Sequence, residues 1–194
     1  QYTEFDPDKA NALLDKIIPN KGGDGIRLDE KGQKLTITFE IDNARAVFID
    51  MLQLVTPMFQ AVGIDAQVRT MDRSLWETRV RQGRQFDATC HEFGANGGIA
   101  AMLDPRYYVP TNANALYAPG WQLWYRARTN KDAIEPPPET QKQMALYDQL
   151  QAAGDAKQQQ AIMKQILQGA ADIFYVFGVS QSPPGYGIIK NNMG

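Results

Sequence analysis

The chain has 194 residues, 43% of them hydrophobic and 22% charged, with a formal net charge of −2. A polypeptide of this length buries roughly 70% of its unfolded surface on folding, enough for one good core, and it lacks the excess Lys and Arg of a nucleic-acid footprint. No apolar run approaches the ~20 residues of a membrane span, and Cys90, the one cysteine, has no partner for a disulfide within the chain.

The amino-terminal stretch shows neither a basic segment nor an apolar core of the kind that directs export. It enters a helix almost at once, and it reads as cut from something longer. Asp6 is a natural N-cap, Pro7 sits where its missing N–H costs nothing, and Asp8 favours the positive end of the helix. Ala10, Leu13, Leu14 and Ile17 recur at helical spacing until Pro19. Gly22-Gly23-Asp24-Gly25 then leads through Ile26-Arg27-Leu28 to a turn at residues 29–32, a tight reversal into a strand over 35–41.

A helix over 44–62 follows, carried by Val47, Phe48, Met51, Leu52, Val55, Met58, Phe59 and Val62, with Pro57 inside it and Gly63 closing it. Residues 64–71 alternate as a second strand, Asp72 caps a short helix bearing Leu75, Trp76 and Val80, and residues 86–93 read as a third strand. Strand, helix, strand, helix, strand is two successive βαβ units, which predicts a parallel sheet flanked by helices. Trp76, on the buried side of its helix near Val80, is expected in the core.

Regular periodicity stops at Gly94. From there to about residue 131 the sequence is rich in Gly, Asn, Pro and aromatics, the composition of a long functional loop rather than a disordered tract. Two amphipathic helices, over 139–153 and up to about 172, come after the Pro136-Pro137-Pro138 run. An apolar strand over 173–179, buried on both sides, and a last short strand over 186–189 complete the prediction.

The chemistry is sparse. A hydrolase dyad or triad needs a nucleophile, a base and an orienting group within reach, and the chain holds one histidine, His91, and three serines. His91 and Cys90 are neighbours on a predicted strand, so their side chains diverge. Too few ligands converge for a zinc site, no phosphate-cradling glycine motif follows a strand, and no cofactor or metal is expected. The positive signal lies beyond the carboxyl end of the third strand, where open parallel sheets bind ligands. Glu92, Phe93, Gly94 and Asn96, then Asp104 and Tyr107, then Trp121 and Trp124, combine aromatic walls with a few polar groups, as small-molecule sites do. The competing assignment for these aromatics is a minor core of the fold itself.

Several stretches resemble the C-terminal lobe of the large solute-binding proteins of peptide, nickel and oligopeptide ABC importers (solute-binding protein family 5). Tyr2-Thr3-Glu4-Phe5-Asp6-Pro7 through Leu14 is similar to the family's helix entry, and Asp24-Gly25-Ile26-Arg27 with Asp29 and Gly32 to its hairpin. Gly63-Ile64-Asp65-Ala66 is similar to the opening of its next strand, and Phe86-Asp87 with Asp104-Pro105 to the pairs flanking its ligand-side loop. The resemblance implies an α/β, periplasmic-binding-protein-like lobe in which residues 1–194 form one domain, the second of two. It implies that residues 181–194 cross back toward the first lobe. It further implies a periplasmic or extracytoplasmic setting, a small solute held between the lobes, and a membrane permease as partner. Ligand contacts carried over by position fall on residues 92–96 and on Asp104. Peptide, opine and oligosaccharide all stay open as solutes, and a hydrolase using His91 with a carboxylate, or a protein-interaction domain, are the alternatives.

Overall fold

A computed structural model describes residues 4–91 and 99–179. Helix α1 (Pro7–Leu14) opens as its sequence dictates: the Asp6 side chain accepts the Lys9 N–H at 2.9 Å, and Pro7 occupies the first turn. Strand β1 (Thr36–Asp42), helix α2 (Ala46–Ala61), strand β2 (Asp65–Met71) and the short helix α3 (Arg73–Trp76) follow within two residues of their predicted places. Pro57 sits inside α2, and the Gln53 carbonyl that a residue-57 amide would have bonded receives the Thr56 hydroxyl at 3.4 Å. Asp72 caps α3 by accepting the Leu75 N–H, and α3 then widens into a π-helical turn, Glu77–Gln82.

The sheet has the order β2-β1-β3, and both pairings are parallel, as two βαβ units require. Thr36 pairs with Asp65 and Asp42 with Met71, so β1 and β2 match over their whole length. Of the strand expected over 86–93, residues 92–93 lie outside the described residues, and among the described ones only Ala88–Thr89 pairs with β1. The chemistry of its neighbours explains this. Where the ladder should begin, the Asp87 carboxylate takes the Thr38 amide at 3.0 Å, and just before it Arg84 turns left-handed at φ 54°.

The long segment after Gly94 is less irregular than its sequence suggests. It contains α4 (Ile99–Leu103) and α5 (Pro119–Arg126), both too short to establish a period in the sequence. Helices α6 (Pro138–Ala152) and α7 (Ala156–Ile173) pair as expected. The apolar strand expected over 173–179 is absent. Phe174 instead ends α7 in the left-handed conformation (φ 59°, ψ 38°), and Tyr175 stacks on Tyr117 and meets Trp121 edge-on. The strand expected over 186–189 and the crossover expected over 181–194 lie outside the described residues.

Burial divides into separate cores. Phe39, Ile41, Leu52 and Ala66 join the sheet to α2. Met144, Tyr147, Ile162 and Ile166 join α6 to α7, with Val109 and Ala101 of the long segment. Met71, Trp76 and Val80 form a small cluster at the carboxyl end of β2, and Trp76 is in the core as expected. The hairpin before β1 is locked by Arg27, whose side chain is wholly buried. Its Nε donates to the Val62 carbonyl (2.9 Å), Nη1 to Asp15 and the Ile18 carbonyl (both 2.7 Å), and Nη2 to Asn11 (2.9 Å). Gly63, at φ +87°, is required beside it, because a Cβ there would lie 2.8 Å from Arg27 Cγ.

Candidate ligand-binding site

The carboxyl ends of β1, β2 and β3 are built around carboxylates held by arginines. On β1, Glu40 receives Arg79 through Nε and Nη2 (3.0 and 2.8 Å) and Arg69 through Nη1 (3.0 Å). The Arg79 guanidinium, against the push of burial and helped by Arg69, holds the Glu40 carboxyl below the usual glutamate range. Two residues on, Asp42 accepts the Ala44 amide at 3.0 Å and Arg73 Nη1 at 3.2 Å; the amide first, then the arginine, keeps it ionised despite burial. These acids are satisfied by internal partners, so they shape the edge of the sheet and are not offered to a ligand.

Above them, the His91 ring lies against Trp76, centroids 6.2 Å apart, while Arg73 and Arg81 approach the same indole at 4.9 and 5.8 Å. Trp76 is thus a buried platform with cations and an imidazole on it. Cys90, half-buried beside the sheet core, has its thiol pushed up by burial, which makes it a poor nucleophile at neutral pH. Among the described residues, no cluster of three His, Cys, Asp or Glu side chains could hold a metal ion.

Of the residues expected to contact ligand, Glu92, Phe93, Gly94 and Asn96 lie outside the described residues. Asp104, just past α4, accepts Arg106 through Nε (2.7 Å) and Nη2, and accepts Asn112 Nδ2 at 3.0 Å. Arg106, followed by Asn112, holds its carboxyl below the ordinary aspartate range against partial burial. Tyr107 lines a trough of about 1140 Å³ between the two larger cores. Trp121 meets Tyr175 edge-on at 5.2 Å, and Trp124 carries the Arg128 guanidinium 4.2 Å above its ring. Both Trp side chains are half-buried, pack against the α6–α7 core and do not line the trough. The structure therefore ties Trp121 to Tyr117 and Tyr175 in one aromatic group, and places Trp124 apart with its own cation.

Sequence reasoning missed several residues on the walls of the trough. Arg81, Arg84 and Tyr117 line it, as does Thr140, whose hydroxyl is buried with no hydrogen-bond partner among the described residues. The left-handed backbone of Arg84 leaves no mark that a sequence pattern could reveal. Tyr117 was legible only as one aromatic among many in its segment.

Known proteins give this geometry a context. Residues 1–114, more than half of the chain, match the family described as bacterial extracellular solute-binding proteins, family 5 middle. Among solved structures, the chain is similar to oligopeptide-binding protein OppA (23% identity, TM-score 0.75), covering 90% of this chain and 29% of that one. It is also similar to the periplasmic binding protein MelB from Agrobacterium fabrum in complex with stachyose (17%, TM-score 0.74; 92% and 26% covered). A third similar structure is NikA from Brucella suis in complex with Fe(III)-EDTA (27%, TM-score 0.62; 86% and 31% covered). The chain thus spans under a third of the length of each. None of the curated proteins matches the sequence. The parallel β2-β1-β3 sheet flanked by helices is the periplasmic-binding-protein type of lobe, and the chain belongs to the bacterial extracellular solute-binding proteins of family 5.

Proposed function

We propose that this chain is the second lobe of the substrate-binding component of an ABC importer, holding a small solute against a first lobe and delivering it to a membrane permease. The observation that carries this reading is the family 5 match, which runs from α1 through the sheet and past α4 to residue 114. The similar structures support it, since their printed names describe an oligopeptide-binding protein and complexes with stachyose and mannohexaose. The setting is extracytoplasmic, and the role is binding without chemistry: closure of two lobes on a ligand needs positioned contacts and no nucleophile.

The solute side in this reading is the carboxyl end of the sheet beyond His91, with Asp104 and Tyr107 as contacts. A half-buried tyrosine, Tyr107, beside the Asp104–Arg106 pair suits a solute with a flat or apolar face and a few polar groups; a peptide, an opine and an oligosaccharide all meet that description. Titration calorimetry of the two-lobed protein against panels of the three, with mass spectrometry of any co-purified ligand, tests the proposal. Saturable binding of one class is the expected result. Absence of binding across all panels, or turnover of an ester, amide or glycoside that vanishes in His91→Ala, would overturn it.

A further inference from the structure

A continuous chain of charges and amides runs from the carboxyl end of β1 to the end of α4, where it meets Asp104. Asp42 accepts Arg73, and Arg73 Nη2 donates to Glu77 at 2.5 Å. Arg81 Nε lies 2.8 Å from the other Glu77 oxygen, as an ion pair rather than an aligned hydrogen bond. Arg81 Nη1 then reaches across 33 residues to donate to Asn114 Oδ1 at 2.5 Å. The Asn114 backbone N–H donates to Asn112 Oδ1 at 2.9 Å, and Asn112 Nδ2 donates to Asp104 Oδ1 at 3.0 Å. The second Asp104 oxygen accepts Arg106.

The direction of each link is forced. A guanidinium only donates, so Asn114 turns its side-chain oxygen to Arg81. A backbone N–H only donates too, so Asn112 turns its oxygen to residue 114 and its Nδ2 to Asp104. Flipping the Asn112 amide would break both of its bonds. Apolar packing seats the same parts. Arg81 belongs to the π-helical turn, a form frequent at functional sites, and its guanidinium lies 5.8 Å from the Trp76 ring. Leu116 packs on the Met71, Trp76 and Val80 cluster, which brings the chain just past Asn114 against that turn. Arg79 of the same turn grips Glu40 instead, so the two arginines serve different partners, the sheet and the segment after α4.

We infer that Arg81 is a positioning residue for Asp104: through Asn114 and Asn112 it fixes the Asp104 carboxylate in one orientation beside Arg106. A carboxylate offers about four acceptor sites. Three bonds from Asn112 and Arg106 fill most of them, and the side chain stays one-third exposed, so capacity remains for one donor from a solute. A group held ready in this way loses less freedom when solute binds, which favours affinity. The effect on affinity rests on the reading of Asp104 as a solute contact; the fixing of Asp104 does not.

Carbon-13 NMR titration of the aspartate carboxyls in the solute-free, two-lobed protein tests the relay. The Asn112 bond helps to hold the Asp104 carboxyl below the ordinary aspartate range, so cutting the relay moves its midpoint up. Asn114→Ala cuts it with the Arg81 charge in place, and Arg81→Met cuts it while keeping an apolar stem against Trp76. Both are expected to raise the midpoint, and Arg81→Lys, which still donates, is expected to leave it near that of the parent. Calorimetry with a tripeptide, an opine and stachyose as probes supplies the second readout. A probe that binds the parent is expected to bind Asn114→Ala and Arg81→Met about threefold to tenfold more weakly, and Arg81→Lys as the parent does. A midpoint that stays in place in Asn114→Ala, or that moves only where the Arg81 charge is lost, would overturn the inference. So would a raised midpoint with unchanged affinity, since Arg81 would then brace the fold and not the site. If none of the probes binds the parent, the solute reading fails by itself: a raised midpoint in both variants then upholds Arg81 as the residue that fixes Asp104, and an unmoved one overturns it.

Discussion

Arg79 closes a two-point grip on Glu40, Nε to Oε2 at 3.0 Å and Nη2 to Oε1 at 2.8 Å, on an acid that is only 2% exposed in the middle of β1. The backbone of the same residue is used as well: Trp76 Nε1 and the Thr89 hydroxyl both donate to the Glu40 carbonyl, at 3.3 and 2.7 Å. Through this one position β2, the π-helical turn, α3 and β3 are all fastened to the central strand. The carboxyl edge of the sheet therefore keeps its shape through a charged knot as well as through apolar packing.

Breaking the knot from the acid side leaves Arg79, which solvent reaches in part, without its counter-charge, while the neutral amide stays buried among donors. Glu40→Gln is expected to lose more stability than removal of the exposed partner does. Arg69→Ala, whose side chain is 55% exposed, should cost under about 1 kcal/mol, as exposed pairs do. Urea unfolding of the two variants checks the ordering, and equal losses would contradict the assignment of Arg79 as the main partner.

The same carboxylates set an acid limit. Arg79 depresses the folded Glu40 value below the ordinary 4.5, and the Ala44 amide depresses Asp42 below the ordinary 3.8. A depressed folded value gives stability that is fully present above the unfolded value and is lost as pH falls through the folded one. Unfolding free energy is expected to be flat in this respect above about pH 5 and to fall steadily below it. Glu40→Gln, though less stable at neutral pH, should show a shallower fall over the same range.

On α7, Gly169 faces Gln143 of α6 so closely that a Cβ would meet the Gln143 Oε1 at 2.6 Å and Cδ at 2.8 Å. Gln143 cannot simply swing away, because it is buried and its Nε2 donates to the Ile166 carbonyl at 2.8 Å. Overpacking of this kind costs about 1–3 kcal/mol, more than the ~1 kcal/mol that Ala gains over Gly in a helix. Gly169→Ala is expected to destabilise the wild-type background and to be neutral or stabilising in Gln143→Ala. A double-mutant cycle by thermal unfolding reads the coupling.

What was legible in the sequence follows from how each element is stabilised. Helices α1, α2, α6 and α7 and strands β1 and β2 carry their own caps, periods and stop signals, and the parallel order follows from their alternation. Strand β3 and residues 174–179 depend on partners far away in the chain. The first is shortened by the Asp87 carboxylate bonding Thr38 across 49 residues, and the second is held by Tyr175 against Tyr117 and Trp121. Helix α5 escaped notice because eight residues give barely two turns, and its start rests on Pro119 within an aromatic-rich stretch. For the site, the aromatic and acidic residue types were visible. Their distribution was not: no local pattern separates a Trp under Arg128 from one against Tyr175.

Asp104 offers the sharpest test of where the solute sits. Its carboxylate is one-third exposed and paired with an equally exposed Arg106, so the pair contributes no more than about 1 kcal/mol to stability. Asp104→Asn retains an oxygen for the Asn112 amide and removes the charge that orients Arg106. If both groups face the bound solute, the variant should unfold within about 1 kcal/mol of the parent yet bind the solute about tenfold more weakly, a difference of about 1.4 kcal/mol. Trp124→Ala provides the contrast: its ring packs on the α6–α7 core beneath Arg128, and truncation should lower stability by about 1–3 kcal/mol whatever its effect on binding. An unchanged dissociation constant in Asp104→Asn, measured on the two-lobed protein, would move the solute away from this end of α4.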